Sequence, residues 1–148
     1  MKTLKATRSS LLVPALTLFF LFLAQPPAQA EPFRIDDKVN IVCSPRAGPW
    51  EKRAADDLSI YIEKITGIHP GATAGAGAPT IVLGSEALKE SSKLQAMLNK
   101  VKKKNPVVRA DAIAFVTAGN TLYVAGSNDE SNYYAAMELL HRWGCRLP

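Results

Sequence analysis

The sequence predicts an α/β domain built on a small mixed β-sheet, in the order β-α-β-α-β-β-α. Two observations predict it. Short strand-like runs alternate with longer segments whose apolar residues recur at three and four, the spacing of amphipathic helices. Near the C-terminus a Gly-Asn pair separates two β-rich runs, the signature of a hairpin. Helical crossovers favour parallel pairing of the strands they join and the hairpin adds an antiparallel pair, so the sheet is mixed, with helices packed on it.

Taken in order, Lys38 to Ser44 alternates, with Val39, Ile41 and Cys43 on one face, and Arg46-Ala47-Gly48-Pro49 breaks it. From Trp50 to Thr66 the stripe Trp50, Ala54, Leu58, Tyr61, Ile62 and Ile65 defines a helix, opened by Pro49 and stopped by Gly67. Glu51, Arg53, Asp57 and Lys64 fall on its other, solvent-directed side. His69 to Pro79 is rich in Gly, Ala and Pro and reads as a surface loop. Pro79 to Gly84 is a wholly apolar central strand. A second helix is predicted from Ser85 to about Lys104, with Leu94, Met97, Leu98 and Val101 inward and Asn105-Pro106 as its stop. Asp111 to Thr117 and Thr121 to Gly126 form the hairpin around Ala118-Gly119-Asn120. The last helix opens at Ser127-Asn128-Asp129-Glu130, a capping-box spacing, and runs to Gly144 with Tyr133, Ala136, Leu139, Leu140 and Trp143 inward.

Ahead of this domain, Lys2, Lys5 and Arg8 precede an apolar run from Leu11 to Ala24 and then Ala28-Gln29-Ala30, the three parts of a secretory signal peptide cleaved after Ala30. The run is broken by Pro14 and is shorter than the roughly 20 residues of a membrane span, which argues against a stable anchor. A secreted or periplasmic location follows. Removing the first 30 of 148 residues leaves 118, enough for one domain, residues 31–148. Three of the 18 Lys and Arg but none of the 13 acids lie in the leader, so the net charge falls from +5 to +2. That balance gives little reason to expect a nucleic-acid partner. Cys43 and Cys145 would share an oxidising compartment and pair if the fold brought their Cα atoms within about 7 Å; Cys43 on the apolar side of a strand favours a buried free thiol instead.

Local motifs assign no catalytic, cofactor-binding or metal-ligating residue. The glycines from Gly71 to Gly77 follow a helix and open a strand, the reverse of a phosphate-cradling loop. Gly84-Ser85 and Gly126-Ser127 sit where strands hand over to helices; their N–H groups suit an anion or a sugar hydroxyl, but helix capping explains them first. Neither serine lies in a nucleophile elbow. His69 and His141 lack the spacing of a zinc site. Of the adjacent acids Asp36-Asp37, Asp56-Asp57 and Asp129-Glu130, the helical pair cannot flank a glycosidic bond together, and the last pair reads as capping. The run Lys100-Val101-Lys102-Lys103-Lys104 closes a helix and reads as a solvated end.

From about Val39 to Arg146 the chain resembles the N-terminal domain that precedes the catalytic barrel in family 67 α-glucuronidases and related bacterial glycoside hydrolases, and is similar to the corresponding domain of bacterial β-hexosaminidases. The phrases that carry the resemblance are Ala54-Ala55-Asp56-Asp57-Leu58 through Tyr61-Ile62-Glu63-Lys64-Ile65-Thr66-Gly67, then Ile81-Val82-Leu83-Gly84, and Leu122-Tyr123-Val124-Ala125-Gly126, Tyr134-Ala135-Ala136, Leu139-Leu140 and Gly144-Cys145-Arg146. Where those domains carry an Arg-Gly-Thr-like turn, this chain reads Glu130-Ser131-Asn132. The resemblance implies a non-catalytic accessory domain of an exported carbohydrate-degrading hydrolase, whose partner is the barrel of a longer chain or homologue and whose catalytic acids lie there. The alternative is a free-standing extracytoplasmic carbohydrate-binding module. Against it, Trp50, Tyr61 and Trp143 fall on apolar stripes, so an exposed Tyr123 or Tyr133 would be needed to favour it.

Overall fold

The computed structural model describes residues 33–35, 38–71, 77–105 and 111–146. The segment read as a signal peptide, Asp36-Asp37, the centre of the Gly/Ala-rich loop, Pro106 and Pro148 lie outside the described residues. The elements are β1 (Asn40–Val42), α1 (Pro49–Thr66), β2 (Thr80–Leu83), α2 (Gly84–Glu90), α3 (Ser92–Val101), β3 (Ile113–Ala118), β4 (Thr121–Gly126) and α4 (Asp129–Arg142). The fold is α/β with a four-stranded mixed sheet in the order β1-β2-β4-β3. β1, β2 and β4 are parallel, while β3 and β4 form the expected antiparallel hairpin, with Ala118 opposite Thr121.

Because side chains alternate across a strand, each long strand contributes to two cores. On one face, Ile81, Leu83, Leu122 and Val124 meet Ala54, Leu58 and Ile62 of α1 and Ala135, Ala136, Leu139 and Leu140 of α4. On the other, Val82, Ala114, Val116 and Ala125 meet Ala87 of α2 and Leu94 and Leu98 of α3. No residue of β1 joins this second core, and Val42 there is exposed. β1 is accordingly a short edge, of three residues.

Four expectations are corrected. Met97 and Val101, expected inward on the second helix, are 40% and 64% exposed, and only Leu94 and Leu98 of that stripe are buried. The second predicted helix is two helices: α2 ends at Glu90, and Ser91 caps α3 by accepting from the Leu94 N–H. A serine mid-pattern competes for backbone donors, and here it wins. Trp143, expected in the core, is only partly buried, packing against the first core from its rim. It follows the last helical residue, and its backbone already departs from helical geometry (φ −84°, ψ 7°). On α1 the buried set is Glu51, Ala54, Asp57, Leu58 and Ile62, whereas Trp50 and Ile65 are 41% and 52% exposed. The inward face is rotated toward two carboxylates, for the reason given by the site below.

Cys43 and Cys145 are both free thiols. Cys43 follows β1 at the carboxyl edge of the sheet. Cys145 follows α4, whose 14 residues span roughly 20 Å and start from that same edge, so the two cysteines lie at opposite ends of the helix.

A candidate functional site at the carboxyl edge of the sheet

The parallel strands end side by side, and α1, α2 and α4 begin at their carboxyl edge. In open α/β sheets this edge is the usual place for ligands, because strand-to-helix turns aim backbone N–H groups and helix N-termini at one spot. Here those donors meet the chain's own acids.

Glu51, in the first turn of α1, is 2% exposed. Its Oε2 accepts from the Ser85 N–H (3.1 Å) and from Asn132 Nδ2 (3.0 Å), and its Oε1 from Ser85 Oγ (2.9 Å). One carboxylate thus ties α1, the start of α2 and the start of α4. Asp129, the first residue of α4, caps α1 instead of its own helix, accepting from the Trp50 N–H at 3.1 Å and the Glu51 N–H at 3.0 Å. The cap of α4 is Asn128, which accepts from the Ser131 N–H at 2.8 Å. The predicted box, with Ser127 reaching Glu130, is therefore displaced by one residue, because Ser127 turns to Asp111 (Oγ to Oδ2, 2.8 Å). Asn132 is held in one orientation: its Oδ1 accepts from the Gly126 N–H at 2.7 Å while its Nδ2 donates to Glu51.

Two glycines make this closeness possible. Gly84 has φ +55°, and a Cβ there would occupy the space of the Glu51 carboxylate. At Gly126 a Cβ would run into the backbone of Ser131. The Gly84-Ser85 and Gly126-Ser127 turns thus receive an anion and an amide, as their position suggests, but both come from within the chain.

Cys43 borders the same carboxylate, its Sγ 3.7 Å from Glu51 Oε1. Burial, reinforced by the negative Glu51, pushes its thiol up to about 11. Asp111 is held below the ordinary carboxylate range, first by the Ser127 hydroxyl and then by backbone N–H groups including that of Lys103. The cluster itself walls a cleft of about 250 Å³, lined by Glu51, Ser85, Asp129 and Asn132 together with Arg46 and Leu88. That is below the roughly 300–1,000 Å³ of ordinary small-molecule sites. Larger shallow grooves flank β3, one of about 660 Å³ bounded by Tyr134, Met137, Glu138 and His141, and one of about 480 Å³ bounded by Met97, Lys100 and Arg142.

The remaining candidates are scattered. His69 pairs with Glu63 of α1 (2.9 Å) and His141 lies near Glu138 of α4 (3.8 Å), both exposed. Among the described residues no group of three or more His, Cys, Asp or Glu is placed to hold a metal ion. Asp56 and Asp57 diverge: Asp57 turns toward α4, accepting from Arg53 Nε at 2.9 Å and the Tyr133 hydroxyl at 3.3 Å on the same Oδ2. Lys100 and Lys102 to Lys104 are exposed at the end of α3. No helix among the described residues is long and apolar enough to cross a membrane.

Fold and site together define a small three-layer α/β module whose ligand-type edge is closed by its own Glu51 and Asp129. No protein-family model matches the chain, and a search of curated proteins finds no match.

Proposed function

We propose that this protein is a non-catalytic N-terminal accessory domain of an exported carbohydrate-degrading glycoside hydrolase of the α-glucuronidase type, working beside a catalytic barrel supplied by a longer chain or a partner. The observation that carries the reading is the use made of the carboxyl edge. Helix N-termini that would hold a substrate anion in an enzyme hold Glu51 and Asp129, and the hydroxyl and amide groups around them are spent on the same bonds. Such an arrangement serves rigidity. The phrases on which the resemblance rests belong to this framework: Ile81-Val82-Leu83-Gly84 is β2 with its turn, and Leu122 to Gly126 is most of β4. In this reading the leader directs export and is removed after Ala30.

The alternative, a free-standing extracytoplasmic carbohydrate-binding module, finds Tyr123 and Tyr133 only partly exposed and is favoured by one observation, that Trp50 and Tyr134 are 41% and 47% exposed rather than buried in a core. One experiment tests the accessory-domain reading, since only that reading also expects the extended version to be active. The protein and a version extended into any barrel encoded downstream are assayed side by side on chromogenic glycosides, with N-terminal sequencing of the exported form. An accessory domain gives no turnover alone and a terminus at Glu31. Turnover by the protein alone, abolished by replacing one acid such as Asp111 or Glu138, overturns the reading.

A further inference from the structure

The two edges of the sheet differ in character. β1, at one end, has three residues, whereas β3, at the other, has six and pairs only with β4 among the described residues. Ala118 and Thr121 close the two-residue turn as a hydrogen-bonded pair, and the Ser127 N–H reaches the Ala112 carbonyl at 2.9 Å. The even-numbered residues of this strand therefore direct their backbone groups at β4, while Ile113, Phe115 and Thr117 each turn an N–H and a C=O away from the sheet. Edges of this length are usually blunted by a charged side chain, a proline or a bulge. Ile113-Ala114-Phe115-Val116-Thr117-Ala118 has none of these, and its register with β4 is unbroken.

Both sides of this edge are furnished to receive side chains. Toward α4 lies the groove of about 660 Å³, with Ile113, Met137 and the 47% exposed Tyr134 as its apolar wall and Glu138, His141 and Arg146 around them. Toward α3 lies the groove of about 480 Å³, where Ala114, Met97 and Val101 meet two cations, Lys100 and Arg142. Arg142 lies over the Phe115 ring at 4.7 Å and is already matched by Glu138 at 2.8 Å. Lys100 makes no ion pair with a described residue. Lys102 to Lys104 stand exposed beyond it, kept beside the start of β3 by the bond from the Lys103 N–H to the Asp111 carboxylate.

We infer that the open edge of β3 takes up, as a fifth strand, an extended segment of a partner protein in which apolar and acidic residues alternate. The outward backbone groups require an extended occupant, and an added strand sends successive side chains to opposite faces. Its apolar residues then meet Tyr134 and Met137 on one side, and its carboxylates meet Lys100 on the other. Charge also decides against a second copy of this chain. Pairing β3 with itself about a two-fold axis sets the Lys100 side of one protomer beside the Lys100 side of the other, where like charges repel. A carboxylate-bearing partner turns the same charge to attraction. The inference does not depend on the proposed function.

The test is fluorescence anisotropy of a labelled seven-residue peptide alternating valine and glutamate, titrated with the protein, beside a peptide alternating valine and lysine. Saturable binding of the glutamate peptide alone is expected. Lys100→Glu should weaken it about tenfold, and so should Thr117→Pro, which removes an outward N–H and none that β4 uses. Hydrogen exchange read by NMR gives a second measure on the unaltered protein. The peptide should slow the amides of Ile113, Phe115 and Thr117 and leave those of Ala114 and Val116, already bonded to β4, unchanged. Circular dichroism checks each fold, and the exchange pattern decides the matter if Thr117→Pro is unfolded. The inference is overturned by no binding of the glutamate peptide, by equal binding of the lysine peptide, by binding that Lys100→Glu leaves unchanged, or by protection without this alternation. Sedimentation showing self-association that Thr117→Pro abolishes also overturns it, since the edge then belongs to a second copy. Any of these leaves the accessory-domain reading standing, because that reading is decided by turnover with and without the barrel.

Discussion

Replacing Glu51 by alanine tests whether the closed carboxyl edge is structural. The substitution removes the acceptor of three N–H and O–H hydrogen bonds, from the Ser85 N–H, Ser85 Oγ and Asn132 Nδ2, and of a weak one from the Cys43 thiol. A bond to a charged partner contributes about 1.5–3 kcal/mol, and a buried donor left without one costs a similar amount. The three do not add. Ser85 is exposed, so water can reach its two donors, whereas Asn132, on the wall of the carboxyl-edge cleft, is 6% exposed and cannot turn away while its Oδ1 holds Gly126. Glu51→Ala is therefore expected to cost about 3 kcal/mol, a large part of the roughly 5–15 kcal/mol available to a small domain. Glu51→Gln should behave differently. With its oxygen in the place of Oε2 it still accepts from Ser85 N and Asn132, and its NH₂ in the place of Oε1 donates to Ser85 Oγ, a hydroxyl free to rotate and accept. Its cost is expected to be about 1 kcal/mol or less. Urea unfolding followed by circular dichroism reads both, the alanine variant losing about 1–2 M in midpoint. An alanine variant as stable as the parent, or a glutamine variant as damaged as the alanine one, would refute the hydrogen-bond account.

Three further outcomes are expected. Gly84→Ala should cost about 2–3 kcal/mol, since it adds a left-handed backbone to a collision with Glu51, whereas Gly119→Ala, equally left-handed at φ +55° but with open space around its Cβ, should cost about 1 kcal/mol; equal midpoints in a thermal melt would contradict the difference. Trp143→Ala, at the rim, is expected to lose about 1–2 kcal/mol rather than the 3–5 kcal/mol of a core aromatic, again by urea titration. With a thiol at about 11, only about one Cys43 in a thousand is ionised at pH 8, so alkylation by iodoacetamide should be far slower than for an ordinary thiol, rise about tenfold per pH unit up to about pH 11, and speed up in Glu51→Gln; mass spectrometry of the Cys43 peptide gives the rate, and ordinary reactivity at pH 8 would disprove the shielding.

The parts of the fold that repeat a local pattern were legible in the sequence. The Gly119-Asn120 turn, the apolar run of β2 and the small and branched residues on the inner face of α4 each specify their element by period or by turn chemistry. The candidate site was not, because reading by period assigns every acid to solvent. Glu51 and Asp57 are buried by partners 34 to 81 residues away in sequence, and no local spacing announces Ser85, Asn132 or Tyr133 as those partners. The same assumption placed Trp50 inside: it shares the helical phase of Ala54 and Leu58, but it stands in the first turn, where the sheet below has already ended. Asp129 reads as a cap from sequence and is one, though of a helix 78 residues earlier. A faint signal existed in the pairing of Gly84 and Gly126 at two strand ends, since residues without a side chain at such positions invite another group to approach.

The crosswise cap at Asp129 also bears on when the molecule can become itself during synthesis. α1 is made early, yet its first turn is finished by a residue of α4, and its apolar face is covered by that helix. β2 likewise waits for β4 before it has a neighbour on its second side. A ribosome therefore releases most of this polypeptide before any of it has a completed interior, and closure is a late, concerted event that joins both ends of the domain. If the chain is exported as proposed, such a delay suits it, because nothing has yet locked that a translocation machinery would need to unlock.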